Sequence, residues 1–445
     1  MVTSIDVPYL LSTRNYNNIV EALLPSDRIR KISGVSVVYL AVNSENRIVT
    51  KFSFIGTIFF LFWYILYFYC TYKAHSEDQT ILRTIYNTKL KRYGDDFERI
   101  ASIIYVTYSM WKVPFRMSGN QVFIQRIVDI DSAIENMGEA VDYNKNAKTA
   151  LVISIAQLGD FLVRMFCIWL SLENLSVIVP TEKLYQVVYT DALSFVITSH
   201  YCFSLIVLRG RYKYINKVLS EIKTRSAWEY KVFVRNKVAP DLEKVQRLQD
   251  RIVCEKIKAC ARIYSMLYKA TEAINRMYGT ALVLTMLLYL VFIILYMFYF
   301  MEATASGLLY DIKKYVDFLI CVFWQMSHAL SIICANVYFS ESITRETKNT
   351  SFVIHEIINS DFDSEVNTEA MRLSMQLLHE VPKFTANGLF ELNNALLYET
   401  RGTTPGTPDR RVIEAIVNDS TSAVSGARSV FTYLVIVLQF VTDRA

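Results

Sequence analysis

Glycine and proline are scarce in this 445-residue chain, at 13 and 8 residues, which leaves little room for a loop-rich or repetitive architecture. Charged residues make up 20% against 53% hydrophobic and 13% aromatic, with 29 Tyr and 26 Phe. That balance excludes a disordered chain and is not the composition of an ordinary soluble enzyme. The seven cysteines (Cys70, Cys167, Cys202, Cys254, Cys260, Cys321 and Cys334) fall mostly within or beside apolar stretches, where a thiol behaves as a small hydrophobe. Without a CxxC or a Cys/His spacing, neither a zinc site nor an extracellular disulfide domain is expected. The chain has no Gly-rich phosphate loop, no His-Glu-x-x-His and no nucleophile elbow, so neither enzyme chemistry nor a cofactor is expected. Charges such as Asp6, Arg14, Glu21, Asp27 and Arg28 break up the first fifty residues, so insertion is expected to begin at the first span rather than at a cleaved leader.

What the chain does have is apolar runs of about twenty residues, the length a bilayer demands. They lie at Phe52–Tyr72, Ile100–Met117 (weakened by Lys112 and Pro114), Thr149–Leu172, Leu184–Leu208, Met277–Met301 and Tyr315–Phe339. Met277–Met301 carries no charge at all. A seventh run, Ser429–Val441, covers only about 20 Å of helix against a hydrocarbon core of about 30 Å. The fold class expected is therefore an all-α membrane protein with seven transmembrane helices.

Basic residues set the orientation. With the N-terminus inside, residues 1–51, 118–148, 209–276 and 340–428 face the cytosol and hold 34 Lys and Arg, against 10 on the other side. Near the helix ends Arg209, Arg211, Lys213 and Arg276 agree with this arrangement, while Lys73 and Arg99 oppose it. Asn174-Leu175-Ser176 is a glycosylation triplet that the same topology places outside. An N-terminus inside and a C-terminus outside is the reverse of a G-protein-coupled receptor, and the third span lacks Asp-Arg-Tyr and the seventh Asn-Pro-x-x-Tyr.

Residues 209–276 are rich in Lys, Arg and Glu, with an apolar stripe at Leu242, Val245, Leu248 and Ile252, continued by Val253, Ile257, Cys260, Ile263 and Leu267. The fourth and fifth spans are expected to run on into the cytosol as helices of about thirty residues, each ~45 Å long. The stripe fits a solvated hairpin or a subunit-assembly domain, and the basic charge fits anionic lipid headgroups. With spans on both sides, the basic stretch points to a membrane face, not nucleic acid.

Ionisable side chains inside spans are costly and face a bundle interior or a cavity. Asp160 and Arg164 are one turn apart in the third span and can pair; Asp191 and His200 lie in the fourth; Trp324 and His328 share a face of the sixth, with Gln325 beside them. Together they are candidates for a small-molecule pocket. A structural Asp160–Arg164 pair and a packing or interfacial Trp324 remain the plainer alternatives.

The last run reads Phe431-Thr432-Tyr433-Leu434-Val435-Ile436-Val437-Leu438-Gln439-Phe440. A Thr-Tyr pair, five aliphatic residues and Gln-Phe resemble the C-terminal signature of insect gustatory receptors. Gln376-Leu377-Leu378-His379 and Lys383-Phe384-Thr385-Ala386-Asn387-Gly388-Leu389-Phe390 resemble the stretch that leads into that family's last helix. The resemblance implies a ligand-gated cation channel similar to odorant receptors. In such a channel four subunits would place their seventh helices around one pore, with a tastant bound between spans in the outer half and the cytosolic helix ends joining subunits. It implies that Gln439 and Phe440 lie near the gate and that Thr432 and Tyr433 hold the pore helix. Leu434, Val437 and Leu438 supply apolar faces able to close a pore. With no acidic ring in 429–441, weak selectivity among monovalent cations is expected.

The chain departs from the family pattern at 401–427, where Gly402, Pro405, Gly406 and Pro408 break helix and Asp409, Arg410, Arg411, Glu414 and Asp419 have no place in lipid. This reads as an insertion at the root of the pore helix: a genuine loop, a variant transcript or a retained intron. The organisation expected is a cytosolic segment 1–51, spans one to four in 52–208, an anchor region 209–276, spans five and six in 277–339, a cytosolic segment 340–428, and a pore helix with tail in 429–445. The leading reading is a tastant-gated non-selective cation channel in the plasma membrane of a sensory neuron, a homo- or heterotetramer in contact with lipid. The alternatives are an odorant-receptor-like subunit needing a coreceptor, and a secondary transporter, which would need internal repeats and broken helices. Sugars, bitter compounds, carbon dioxide, heat and light stay open as stimuli.

Overall fold

The computed structural model describes residues 16, 18–42, 47–81, 89–115, 118–174, 180–235, 242–305, 311–360 and 362–393. The expected pore helix, with Thr432, Tyr433, Leu434, Val437, Leu438, Gln439 and Phe440, and the segment 401–427 lie outside the described residues. The elements, in chain order, are α1 (Ile19–Ile32), β1 (Val38–Val42), β2 (Ile48–Phe52), α2 (Phe54–Ser76), α3 (Lys89–Phe115), α4 (Ser118–Glu135), α5 (Tyr143–Asn174), α6 (Thr181–Arg235), α7 (Leu242–Ala305), α8 (Ile312–Ile358) and α9 (Ser364–His379).

Apart from Phe52, which ends β2, and the capping Ser53, the described residues of the first six apolar runs lie on helices, α2, α3, α5, α6, α7 and α8. Five of them are long and apolar enough to cross a membrane; α3 is not, because its first eleven residues carry Lys89, Lys91, Arg92, Asp95, Asp96, Glu98 and Arg99. The expected extensions are present: α6 spans 55 residues and α7 64, unbroken from the apolar run into the charged segment. Pro114 sits inside the last turn of α3 without ending it.

The two-stranded hairpin was not expected in an all-α chain. Strands β1 and β2 pair antiparallel, Val38 opposite Phe52 and Val42 opposite Ile48. Two glutamines one turn apart on α4 hold its edge: Gln125 Oε1 accepts from the Ile48 N–H at 2.9 Å, and Gln121 Nε2 donates to the Ile48 carbonyl at 2.7 Å. Paired in this way, the backbone groups of Ile48 are no template for another strand. Ser53 then caps α2, accepting from the Gly56 N–H at 3.2 Å.

The long helices α2, α3, α5, α6, α7 and α8 alternate direction, while α4 continues in the direction of α3. One end of the bundle carries the α2 and α5 C-termini and the α6 start; the other carries α1, the hairpin, α4 and α9. Helix α6 is the axis, with most of its apolar window buried, whereas α5 buries almost none. Two buried clusters form the core. One joins α2, α3, α6, α7 and α8; the other joins α1, α4, α6, α7, α8 and α9. In the second cluster Arg211 of α6 makes a two-pronged bond to Asp131 of α4, at 2.9 and 2.8 Å, and Tyr143 donates to the same carboxylate at 2.9 Å. Of the expected stripe on α7, Ile257, Cys260, Ile263 and Leu267 are buried, while Leu248 and Ile252 are exposed.

At the α5–α6 end the charged start of α3 is buried against α7 and α8. The Lys91 ammonium lies 4.8 Å over the Phe318 ring and 5.9 Å over Tyr299. Burial pushes its pKa down to about 8, against the upward pull of the Glu302 and Asp95 carboxylates. The unfolded chain therefore holds more protons between pH 8 and the ordinary lysine value, and folding stability rises with pH across that window. The unfolding midpoint of the protein in detergent is expected to climb from pH 8 to about 10, and Lys91→Met to flatten that climb.

Candidate ligand site among α5, α6, α7 and α8

An arginine in the middle of an apolar helix must find partners inside the bundle. Arg164, expected to pair with Asp160 along its own helix, instead reaches across to two neighbours. Its Nη2 stands 2.5 Å from Asp191 Oδ2 on α6, and its Nη1 donates to Gln325 Oε1 on α8 at 2.7 Å. The Arg164 and Asp191 side chains are 0% and 1% exposed. The reason for the correction is geometric. Asp160 faces α8, where it accepts from His328 Nδ1 at 3.1 Å and from Ser331 Oγ at 3.3 Å. Arg164 points to the seam between α6 and α8.

Around this pair the Arg164 guanidinium lies 5.6 Å over the Phe161 ring, and the His328 ring meets Tyr289 edge-on at 5.8 Å. The Tyr289 hydroxyl of α7 bonds to Ser194, whose Oγ also donates to the Asp191 carbonyl at 2.8 Å. Arg164 Nε, Asp191 Oδ1 and His328 Nε2 are buried and take no hydrogen bond from the described protein. Asp160, Arg164, Asp191, Gln325 and His328 thus come together as one group. Tyr289, Ser194 and Ser331 join them; one signal for Ser194 was its place one turn after Asp191 on the α6 face.

The other candidates lie apart. Trp324 is half-buried on α8, edge-on to Phe323 at 5.8 Å. His200 belongs to a separate cluster nearer the α4–α9 end: its Nε2 is 2.8 Å from Arg30 Nη1 of α1, and its Nδ1 meets the Tyr278 hydroxyl. Asn174 is exposed at the end of α5, its amide 3.5 Å from Asp317 Oδ1. Among the described residues no group of His, Cys, Asp and Glu is placed to hold a metal ion.

Comparison with known proteins decides the family. A family model described as 7tm chemosensory receptor matches residues 146–402, more than half of the chain. The chain belongs to that insect chemosensory receptor family. Gustatory receptor 28a of Drosophila melanogaster is 24% identical over 413 residues, covering 87% of this chain and 89% of that protein. Gustatory receptor 28b of the same fly is 22% identical over 437 residues, covering 95% and 86%. The olfactory receptor OR5 of Machilis hrabei superposes with a TM-score of 0.54 at 10% identity, over 85% of this chain and 94% of that one, a likeness of fold. The family is one of multi-pass membrane receptors, not of enzymes. In this receptor Arg164→Met leaves Asp191 a buried carboxylate without its partner, at a cost of about 3–5 kcal/mol. Surface expression is expected to collapse and to recover in Arg164→Met/Asp191→Leu; independent, additive effects of the two changes would show that the pair is not coupled.

Proposed function

We propose that this gustatory receptor is a tastant-gated cation channel of sensory-neuron plasma membranes, with its N-terminus in the cytosol. The α5–α6 end then faces outward, and the ligand site is the polar group around Arg164, Asp191, Gln325 and His328. The observation that carries the reading is the convergence of side chains from three apolar helices with a donor, an acceptor and an imidazole nitrogen unspent. That set suits a small neutral molecule bearing both hydrogen-bond donors and acceptors. A channel opens only if the ligand favours the open arrangement, and a group that ties α5, α6 and α8 together is sensitive to their relative positions. His200 and Trp324 are left outside the ligand site.

Assembly as a tetramer is supported by apolar side chains exposed beyond the spanning segments. Leu248 and Ile252 on α7, Phe352 on α8, and Met371, Met375 and Leu378 on α9 have no lipid to face in this topology. The stretch 209–276, with α9, would be the anchor, and 429–441 the pore helix. Asn174 would be glycosylated on the outer face.

Whole-cell recording tests the reading, comparing the full chain with a form lacking 401–427 under a panel of sugars and bitter compounds. Ligand-evoked cation current from the full chain is expected, with 401–427 a tolerated loop. Current from the shortened form alone would mark the segment as disruptive. Current that requires a second receptor subunit would favour the coreceptor-dependent reading, and saturable uptake without conductance a transporter.

A further inference from the structure

The chain that follows α9 runs on along α7, in the same direction, and is fastened to it repeatedly. The Tyr264 hydroxyl donates to the Glu380 carbonyl at 3.1 Å, and Ser265 Oγ to the Glu380 carboxylate at 2.9 Å. Gln376 of α9 donates to the Ala261 carbonyl at 3.1 Å. Further along α7, Asn275 spends both ends of its amide: Nδ2 donates to the Lys383 carbonyl at 2.6 Å, and Oδ1 accepts from the Thr385 N–H at 3.3 Å. One turn on, Gly279 lies against Asn387. A Cβ at 279 would stand 3.0 Å from the Asn387 nitrogen and 3.1 Å from its Cα, and backbone atoms cannot swing aside as a side chain can.

The fastened segment is itself a closed turn. The Ala386 N–H donates to the Phe390 carbonyl at 3.0 Å and the Leu392 N–H to the Phe384 carbonyl at 2.8 Å, with a Lys383–Glu391 ion pair at 2.9 Å across it. Asn387 and Gly388 reverse the chain at φ 53° and 77°, in the left-handed region. Phe384, Ala386 and Leu392 are buried beneath. Such a turn, packed backbone against backbone, moves as a unit.

We propose that Asn275 and Gly279 are positioning residues for gating, holding the 383–391 turn as a bracket on α7 so that displacement of α7 is carried to the chain beyond it. The same unbroken helix bears Tyr289, ten residues and about 15 Å further on, in contact with Ser194 and His328 of the ligand group. A rigid helix holding one residue at the ligand group and two at the bracket is a continuous mechanical link. The proposal rests on the channel reading above.

The test uses the full chain with Gly279→Ala, Asn275→Ala, and the cysteine pair Gly279→Cys/Asn387→Cys. The Cβ positions at 279 and 387 lie 3.6 Å apart, within disulfide reach. Three readouts are taken: the disulfide-linked peptide by mass spectrometry after copper-phenanthroline oxidation, surface amount by biotinylation, and ligand-free sodium current with N-methyl-D-glucamine replacement as zero. The linked peptide is expected. Oxidation and dithiothreitol reduction are expected to change current by at least about threefold, and Gly279→Ala to do the same at an undiminished surface amount, as a shift of the closed–open balance requires. No linked peptide overturns the bracket. A linked peptide with current unaltered in every variant overturns the positioning role. A linked peptide with wild type and every variant silent at normal surface amounts overturns the gating role, since the expected change in current is then absent; the channel reading fails separately, by the absence of ligand-evoked current in the recording above.

Discussion

In a bilayer, apolar side chains gain little by leaving lipid for one another, so the polar contacts that cross between helices decide how a bundle is assembled. Arg164 is the clearest case in this receptor. Helix α5 turns Leu151, Val152, Ile155, Leu162, Val163, Phe166 and Trp169 outward, to where lipid lies. Within its apolar run the polar ties to the bundle are Arg164 on Asp191 and Gln325 and Asp160 on His328 and Ser331. A charged group with no water available must satisfy its hydrogen bonds locally, so these residues fix the rotation and depth of α5 against α6 and α8. The candidate ligand group and the fastening of α5 are therefore the same set of atoms.

Beyond the apolar runs the balance reverses. The second buried cluster is an ordinary water-driven core: Ile257, Cys260, Ile263 and Leu267 of α7 face Val366, Ala370, Leu373 and Leu377 of α9 and the inner faces of α4 and α6. There a buried ion pair, Arg211–Asp131, is supported by Tyr143 and by the Val207 carbonyl, so the guanidinium is well satisfied. Helices α6, α7 and α8 pass through both regimes without a break. A displacement in the lipid-facing half cannot be absorbed by a hinge within them.

Much of the fold was legible in the residue order. The apolar runs placed the spanning helices because only a helix satisfies its own backbone in lipid, and the charged periodicity after Leu208 foretold that α6 and α7 continue. The hairpin at 38–52 was hidden because its edge is satisfied by Gln121 and Gln125, some seventy residues away. The buried start of α3 was hidden for a similar reason. A run of Lys, Arg, Asp and Glu reads as a solvated face until Tyr299 and Phe318 are known to cover it.

The candidate site divides along the same line. Sequence alone determined that Asp160, Arg164, Asp191, Gln325 and His328 lie within spans and need inward partners, because the cost of an ionisable group in hydrocarbon is a property of the residue and its surroundings in the run. It also determined family membership, through motifs that are local in sequence. Which carboxylate Arg164 takes, that His200 joins Arg30 and Tyr278 instead, and that Tyr289 of α7 meets Ser194 and His328 were decided only by the tertiary structure. Helical spacing names every residue that could meet, but the rotation of each helix against its neighbours selects the few that do.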